Sequence, residues 1–214
     1  MRVFVGGVVA TIIAVCILGS GTARAEELPR PGHNWELAAG FTPLSYGLYD
    51  ALGGDGHFDQ FTTLPAAGLE VATNYHYRRY LVLGATAAYV FSLGRSNYWS
   101  QDYEPGVHRF RLGPQLQLRV PGESIEPFVS LGGGLSALKS KNYGDSYNAT
   151  GFYGSLGLGG NIHMTRSISM YVRSNLTFDH AVINSMDGGY RDYMEDAGVV
   201  SFLMEVTLGI LLRL

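Results

Sequence analysis

The sequence predicts an all-β protein, an eight-stranded antiparallel up-and-down transmembrane β-barrel. Three observations support this fold class. Eight segments of about ten residues show alternating apolar and polar side chains, as expected for strands, where successive side chains point to opposite faces. The connections between these segments alternate between short and long. Aromatic side chains on the apolar face gather near both ends of the segments, where a membrane would have its two interfaces.

The beginning of the chain is typical of a secretory signal peptide. Met1 and Arg2 form a short basic start, residues 3–18 form an apolar run, and Ala23-Arg24-Ala25 is a small-x-small cleavage signal. A retained membrane anchor is the alternative, but it needs about 20 apolar residues, and this run is shorter. The predicted domains are therefore a cleaved signal peptide over residues 1–25 and an outer-membrane barrel domain over residues 26–214.

Composition excludes several classes of function. The single cysteine, Cys16, lies in the predicted signal peptide, so the mature chain has no disulfide or thiol chemistry. Cleavage removes Arg2 and Arg24 and no acid, which changes the formal charge from −3 to −5. Such an acidic chain lacks the basic surface that nucleic acid requires, and we expect no nucleic-acid partner.

The predicted strands cover the mature chain at regular intervals. They are residues 33–42, 68–77, 81–91, 109–120, 125–138, 152–164, 168–178 and 201–214. The sharpest internal case places Phe110, Leu112 and Leu116 opposite Arg111 and Gln115. An even number of such strands suits a closed barrel, and closure is required because backbone groups facing lipid must all be paired within the protein. Closure also removes any need to oligomerise for edge pairing.

The lengths of the connections predict the orientation. Residues 77–80, 121–124 and 165–167 are tight turns, whereas residues 42–65, 92–108, 139–151 and 179–200 are longer polar loops. Outer-membrane barrels have short periplasmic turns and long external loops. The sequence therefore predicts that both termini are periplasmic.

The aromatic residues support a membrane-spanning barrel over a soluble one. Six phenylalanines face the apolar side at the predicted outer ends of their strands: Phe41, Phe91, Phe110, Phe152, Phe178 and Phe202. Trp35, Tyr75 and Tyr77 lie near the other end. The alternative, a soluble lipocalin-like barrel, has apolar residues inside and polar residues outside, and it would leave this double girdle unexplained.

These features resemble the eight-stranded outer-membrane barrels that include the OmpA transmembrane domain, the OmpX and Ail group and the opacity adhesins. Residues 126–135, Glu-Pro-Phe-Val-Ser-Leu-Gly-Gly-Gly-Leu, look like the fifth strand of such proteins. The family commonly ends on Phe, and this chain ends on Leu214. The resemblance implies location in the bacterial outer membrane and contact with outer-membrane lipid, lipopolysaccharide and the barrel-assembly machinery. It implies no catalytic motif and no cofactor.

The inward faces carry charges that must be paired if they are buried. The predicted ion-pair network of the lumen consists of Glu36, Glu70, Arg111, Arg119, Arg173 and Glu205. Counting from loop centres near Gly189 and Gly53 makes Arg173 and Glu205 cross-strand neighbours and sets Glu36 opposite Glu70. We therefore expect Arg173 and Arg111 to neutralise a cluster of Glu36, Glu70 and Glu205. The network is either a structural filling or an ion-pair gate of a narrow, porin-like channel.

Catalysis has little support in the sequence. A lipid A-modifying hydrolase would need Ser, His and a carboxylate within hydrogen-bond reach. The residues that come nearest to this requirement are His180, Asp179 and Ser185 at the outer rim. No spacing of histidines matches a metal motif. We expect a non-enzyme without a metal site, with the lipid A-modifying enzyme as the alternative.

Recognition by the external loops is the favoured function. Loop aromatic residues available for contacts are Tyr46, Tyr49, Tyr98, Trp99, Tyr143, Tyr147, Tyr190 and Tyr193. Tyrosine and tryptophan among small polar residues make good contact surfaces. The sequence thus predicts a structural or adhesin-like role at the cell surface, with a host or cell-surface ligand as an open possibility. Two alternatives for the loops are divalent-ion bridging to lipopolysaccharide and simple solvation without a binding role.

Overall fold

A computed structural model describes residues 34–52, 58–63, 67–96, 106–142, 145–187 and 198–214. The predicted signal peptide lies outside these residues. The strands are β1 (Trp35–Leu52), β2 (Phe58–Thr63), β3 (Ala67–Arg78), β4 (Leu81–Ser96), β5 (Gly106–Arg119), β6 (Ile125–Asn142), β7 (Asp145–His163), β8 (Ile168–Asp187) and β9 (Gly198–Arg213). In the described part of the chain, no helix is long and apolar enough to span a membrane.

The strands form a closed ring with eight positions, which confirms the predicted fold class. Neighbours from β3 to β9 are antiparallel and consecutive, β1 pairs with β3, and pairing of β1 with β9 closes the ring. Nine strands occupy only eight positions because β2 and β3 share one. β2 pairs with β1 and β4, the same two neighbours as β3, so β2 and β3 follow one another along a single position of the ring.

The predicted loop over residues 42–65 is wrong in extent, because β1 continues to Leu52 and β2 covers Phe58–Thr63. β1 continues past Pro43 through a β-bulge, where the register with β9 shifts between Phe41 and Leu44. Proline lacks an N–H group, and it is tolerated at such irregularities. Thr42 and Ser45 are both buried on the inner side, since the bulge resets the alternation.

The other three long loops are also shorter than predicted. β4 extends to Ser96, β8 extends to Asp187, and β7 begins at Asp145 rather than residue 152. At the opposite end of the barrel the connections are short, covering residues 79–80, 120–124 and 164–167, and β1 begins and β9 ends there. We call this the short-turn end, and we call the other the long-hairpin end.

Between the two aromatic girdles, the inner and outer faces of the described strands are as predicted. The outer face between the aromatic girdles carries large exposed apolar side chains, including Leu69, Leu131, Leu176 and Ile210. The inner face is mostly polar and buried. Leu211, which interrupts the polar row of the last strand, is buried beside Tyr171. Gly40 and Gly209 make room for this ring, because an added Cβ at either would clash with it.

Candidate functional site

The lumen nearest the short-turn end holds two carboxylates shared by two arginines. Arg119 Nη2 lies 2.8 Å from Glu36 Oε2, and its Nη1 lies 3.6 Å from Glu126 Oε2. Arg213 Nε donates to Glu36 Oε1 at 3.2 Å, and its Nη2 donates to Glu126 Oε2 at 3.4 Å. Glu36 and Arg119 are each 1% exposed. This arrangement compensates both acids with charge-assisted contacts where water is excluded.

Two histidines and an amide complete this layer. His76 Nε2 lies 2.7 Å from Glu36 Oε1, and His163 Nε2 lies 4.0 Å from Glu126 Oε2. Asn161 Nδ2 donates to Glu126 Oε2 at 3.1 Å. The layer therefore draws side chains from six strands, β1, β3 and β5 to β7 together with β9, and connects opposite walls of the barrel.

The middle of the lumen contains two separate ion pairs. Arg111 Nη2 donates to both carboxylate oxygens of Glu205, at 2.6 and 2.8 Å. Thr177 Oγ1 also donates to Glu205 Oε2, at 3.2 Å. Arg173 donates to Glu70 and, through Nη1, to Gln115 Oε1 at 3.3 Å. These bonds pair four charged groups that are at most 9% exposed, although the Nε atoms of Arg111 and Arg173 have no hydrogen-bond partner among the described residues.

A third layer lies closer to the long-hairpin end. Arg109 Nε lies 3.4 Å from Asp179 Oδ2, and Ser201 Oγ donates to the same oxygen at 3.2 Å. All three side chains are buried. Together the three layers set five arginines against five carboxylates among the described lumen residues. The interior is therefore electrically balanced, apart from any charge on the histidines.

All six residues of the predicted network point into the lumen. Arg173 and Arg111 pair with Glu70 and Glu205, two of the three acids they were expected to neutralise, but Glu36 pairs with Arg119 instead. Arg173 and Glu205 do not lie directly opposite each other, because Arg173 lies opposite Thr207 and Glu205 lies opposite Asn175. Glu36 lies opposite Asn74 rather than Glu70. The single acidic cluster was therefore wrong: Glu36 belongs to the first layer, while Glu70 and Glu205 belong to the middle layer.

The pairing failed because it assumed loop midpoints. β1 and β2 pair about residue 55, two residues beyond the assumed centre at Gly53, as the pair Leu52 and Phe58 shows. Sequence reasoning also left four members out of the network: Arg109, Glu126, Asp179 and Arg213. The signal that could have found them was their charge together with their inward position in the alternation.

A small polar cavity separates the two middle ion pairs. Its volume is about 30 Å³, and Thr86, Ser130 and Ser155 are among the residues that line it. A cavity of this size holds about one water molecule. Around it, buried polar and charged side chains of the described strands occupy the lumen, as is typical of an eight-stranded barrel.

The inner face changes character beyond the charged layers, toward the long-hairpin end. A buried apolar cluster there consists of Val107, Leu138, Tyr147, Ala149, Ala181 and Val199. We call it the upper core. The outer faces of the same strand segments are mostly polar and exposed, with Lys139, Asn148, Thr150, His180 and Asn184, and with Val182 as an exposed apolar residue among them. The polarity of the wall therefore inverts along the same strands, from apolar outside and charged inside to polar outside and apolar inside.

Aromatic side chains mark both edges of the apolar outer belt. Phe178 and Phe202 pack 4.9 Å apart between ring centroids just before the inversion, and Phe110 and Phe152 are also exposed on the outer face. At the short-turn end Trp35 and Tyr75 pack 5.1 Å apart, with Tyr77 and Tyr80 exposed nearby. From Ile168 to Phe178 the span is about 26 Å, at a rise of about 3.4 Å per residue and a tilt of about 40°, close to the ~25 Å apolar band of such barrels.

Two solved structures share this architecture. Neisserial surface protein A superimposes with a TM-score of 0.52 at 9% identity, covering 85% of this chain and 97% of that one. The outer membrane protease OmpT from Escherichia coli gives a TM-score of 0.52 at 11% identity, covering 89% and 100%. The chain has the fold of the small outer-membrane β-barrels. At these identities the similarity concerns the fold alone. No family model and no curated protein matches the sequence.

This barrel separates the members of the predicted rim site. Asp179 is buried in the lumen against Arg109 and Ser201, whereas His180, the next residue on the strand, is exposed on the outer face. Ser185 is exposed and accepts a hydrogen bond from Asn148 Nδ2 at 3.1 Å. Asp179 and His180 therefore cannot act as a catalytic pair without reorganising β8.

One of the eight predicted contact aromatics is not available at the surface. Tyr147 is a member of the upper core and is only 9% exposed, because the segment that resembled a loop is part of β7. The backbones of Tyr46 and Tyr49 lie in β1. Tyr98, Trp99, Tyr143, Tyr190 and Tyr193 lie outside the described residues.

Proposed function

We propose that this barrel acts at the bacterial surface as an interaction protein, with both termini periplasmic and the long-hairpin end outside. The observation that carries the proposal is the inversion of wall polarity above the Phe178 and Phe202 girdle. A wall with an apolar inner face and a polar outer face is stable when water surrounds its outer face. The strands of the long-hairpin end thus suit an aqueous, projecting position.

The projection is long enough to carry the hairpins away from the membrane. β8 continues nine residues beyond Phe178, to Asp187, which corresponds to about 23 Å at the rise and tilt given above. The upper core fixes β5 to β9 to one another over part of this length. Hairpins on such a rigid support present contact residues with little loss of conformational freedom on binding.

The filled lumen favours an interaction role over conduction. Each arginine of the lumen lies within ion-pair distance of an acid, and the upper core follows these layers along the same inner face. An ion would have to displace paired buried charges and then enter an apolar region, and both steps are costly. The ion-pair gate therefore has no specific observation in its favour.

The similar structures are compatible with the proposal without selecting it. One of them is named a surface protein, and the other is named a protease. The proposed surroundings of this chain are outer-membrane lipid and lipopolysaccharide, reached through the barrel-assembly machinery. We propose a host or cell-surface ligand as the partner of the hairpins.

Orientation is tested first, by treating intact cells with protease and by comparing unboiled and boiled membrane samples on gels. The proposal predicts a compact unboiled form and cuts confined to the long-hairpin connections, residues 53–57, 97–105, 143–144 and 188–197. Cuts in the short turns of intact cells, or no heat-dependent shift, would contradict it.

Function is then tested by adhesion of a non-adherent Escherichia coli strain to an epithelial cell monolayer. One variant replaces residues 188–197 with Asn-Gly, a two-residue hairpin turn, and the control is Glu123→Ala in an exposed short turn. We expect wild type and control to adhere and the shortened variant to lose most adhesion while keeping its compact form. Adhesion of the wild type no greater than that of empty cells would overturn the proposal.

A further inference from the structure

A groove interrupts the lipid-facing belt across β9, β1, β3, β4 and β5. Its volume is about 590 Å³. Small outward side chains occupy its middle, namely Ala39, Thr73, Ala85 and Ala87, and larger ones stand around them, namely Leu37, Val71, Leu112, Ile210 and Leu212. The β-pairing makes it continuous, since Ala39 lies opposite Val71 and Val71 lies opposite Ala87.

A basic turn lies below this groove at the short-turn end. β3 and β4 are joined there, and the guanidinium groups of Arg78 and Arg79 each lie 5.7 Å from a tyrosine ring, of Tyr77 and Tyr80 respectively. Both tyrosines are more than half exposed. Tyrosines with stacked arginines are typical of the level of the lipid headgroups.

The distance from turn to groove equals the reach of one leaflet. Along β4, Ala85 and Ala87 are about 10 and 16 Å above Leu81 after allowing for strand tilt. Half of a ~30 Å hydrocarbon core is about 15 Å. A lipid whose phosphate lies at Arg78 and Arg79 would therefore have the distal part of an acyl chain at the depth of the groove.

We infer that the barrel retains one anionic phospholipid of the leaflet at the short-turn end, with its phosphate at Arg78 and Arg79 and one acyl chain in the groove. The hydrophobic effect does not select an occupant here, because bulk lipid is equally apolar. Selection comes from van der Waals fit to the groove and from charge at the turn, which is worth about 1 kcal/mol per arginine near an anionic surface.

A second copy of the chain suits this surface less well. A two-fold axis along the membrane normal would place the same patch of both copies face to face at the same depth. The turns bearing Arg78 and Arg79 would then also face each other across the interface, and four guanidinium groups at one level repel one another. A phosphate instead complements this charge.

The test measures lipid retained on the full barrel extracted in mild detergent, by native mass spectrometry after adding phosphatidylglycerol, phosphatidylethanolamine or lipid A in equal amounts. Ala87→Phe fills the groove, and Gly154→Leu is its control on the opposite wall, since a side chain at Gly154 meets nothing within 4 Å. Arg78→Ala with Arg79→Ala removes the charge, and Arg166→Ala in another exposed short turn is its control.

We expect one phosphatidylglycerol on the wild type, about thirtyfold less on the double arginine variant, severalfold less on Ala87→Phe, and no change in either control. Heat-shifted migration of each variant verifies that the barrel is folded. Equal retention of all three lipids, preference for lipid A, a dimer without lipid, or equal loss in Gly154→Leu would each overturn the inference. None of these outcomes bears on adhesion by the hairpins.

Discussion

The membrane-spanning part of the barrel and its projecting part are made from the same strands with opposite chemistry. Between the girdles the wall has exposed leucines outside and ion pairs such as Arg111 with Glu205 inside. Above Phe178 it has Leu138 and Val199 inside and Lys139 and His180 outside. The side-chain period is two throughout. What changes is the medium that each face meets.

The comparison shows that strand alternation alone does not reveal which face is the interior. In the projecting part apolar side chains pack as in a soluble β protein, and burial from water stabilises them. In the membrane-spanning part the apolar face meets lipid, and the polar side chains of the other face must form hydrogen bonds and ion pairs with one another inside the lumen. The position of the inversion therefore marks the surface of the bilayer.

The largest expected effect comes from removing one partner of a lumen ion pair. Arg119→Met leaves Glu36 and Glu126 with one fewer cation each, and breaking such a buried pair costs about 3–5 kcal/mol. The free energy of unfolding is measured with urea on protein folded in lipid vesicles. The control Arg166→Ala, in an exposed turn, is expected to change it by less than about 0.5 kcal/mol. A loss below about 1 kcal/mol for Arg119→Met would contradict a pairing role.

The next effect separates the two outer faces. Leu131→Arg places a charge in the apolar belt, where it costs about 2–4 kcal/mol near the bilayer midplane. His180→Arg places the same charge on the outer face of the projecting part, where we expect almost no change. The same urea titration compares them. Equal losses for the two variants would mean that the polarity inversion does not mark a change of medium.

A smaller effect separates the inner and outer apolar residues. Leu138→Ala removes packed atoms from the upper core, and we expect a cost of about 2 kcal/mol. Leu131→Ala shortens a side chain that faces lipid, which fills the space, so we expect less than about 1 kcal/mol. Hydrogen exchange of the β6 and β7 amides should accelerate near Leu138 only. Faster exchange across the charged layers as well would show that the two parts are not separate cooperative units.

The smallest expected effect concerns the residue predicted for catalysis. His180→Ala removes an exposed outer side chain and should change the free energy of unfolding by less than about 0.5 kcal/mol. The masses of lipid A from cells producing wild type and His180→Ala should be identical. A lipid A modification present with the wild type and abolished by His180→Ala would restore the enzyme alternative.

The faces of the strands were predictable, whereas their ends and partners were not. Residues 168–178 alternate between lipid and a charged interior, and that contrast alone assigns each side chain to a face. Residues 139–151 resembled a loop because their polarity is inverted relative to the membrane-spanning part of the same strands. In the structure Lys139 is outside, while Tyr147 and Ala149 are in the upper core.

The register between neighbouring strands could not be predicted, for a different physical reason. Cross-strand partners depend on where a hairpin turns and on bulges such as the one between Phe41 and Leu44. Neither follows from the midpoint of a polar gap. The charges of the lumen could therefore be placed inside the barrel, but the partner of Glu205 required the pairing of β8 with β9.

The position of the bilayer surface is the central claim, and single cysteines on β8 test it most directly. Cys16 is the only cysteine of the chain, and it lies outside the described residues. Leu176→Cys, His180→Cys and Asn184→Cys are each treated on intact cells with a membrane-impermeant maleimide. All three positions are on the outer face. We predict labelling at 180 and 184 and none at 176. Labelling at all three positions, or at 176 alone, would contradict a bilayer surface at Phe178.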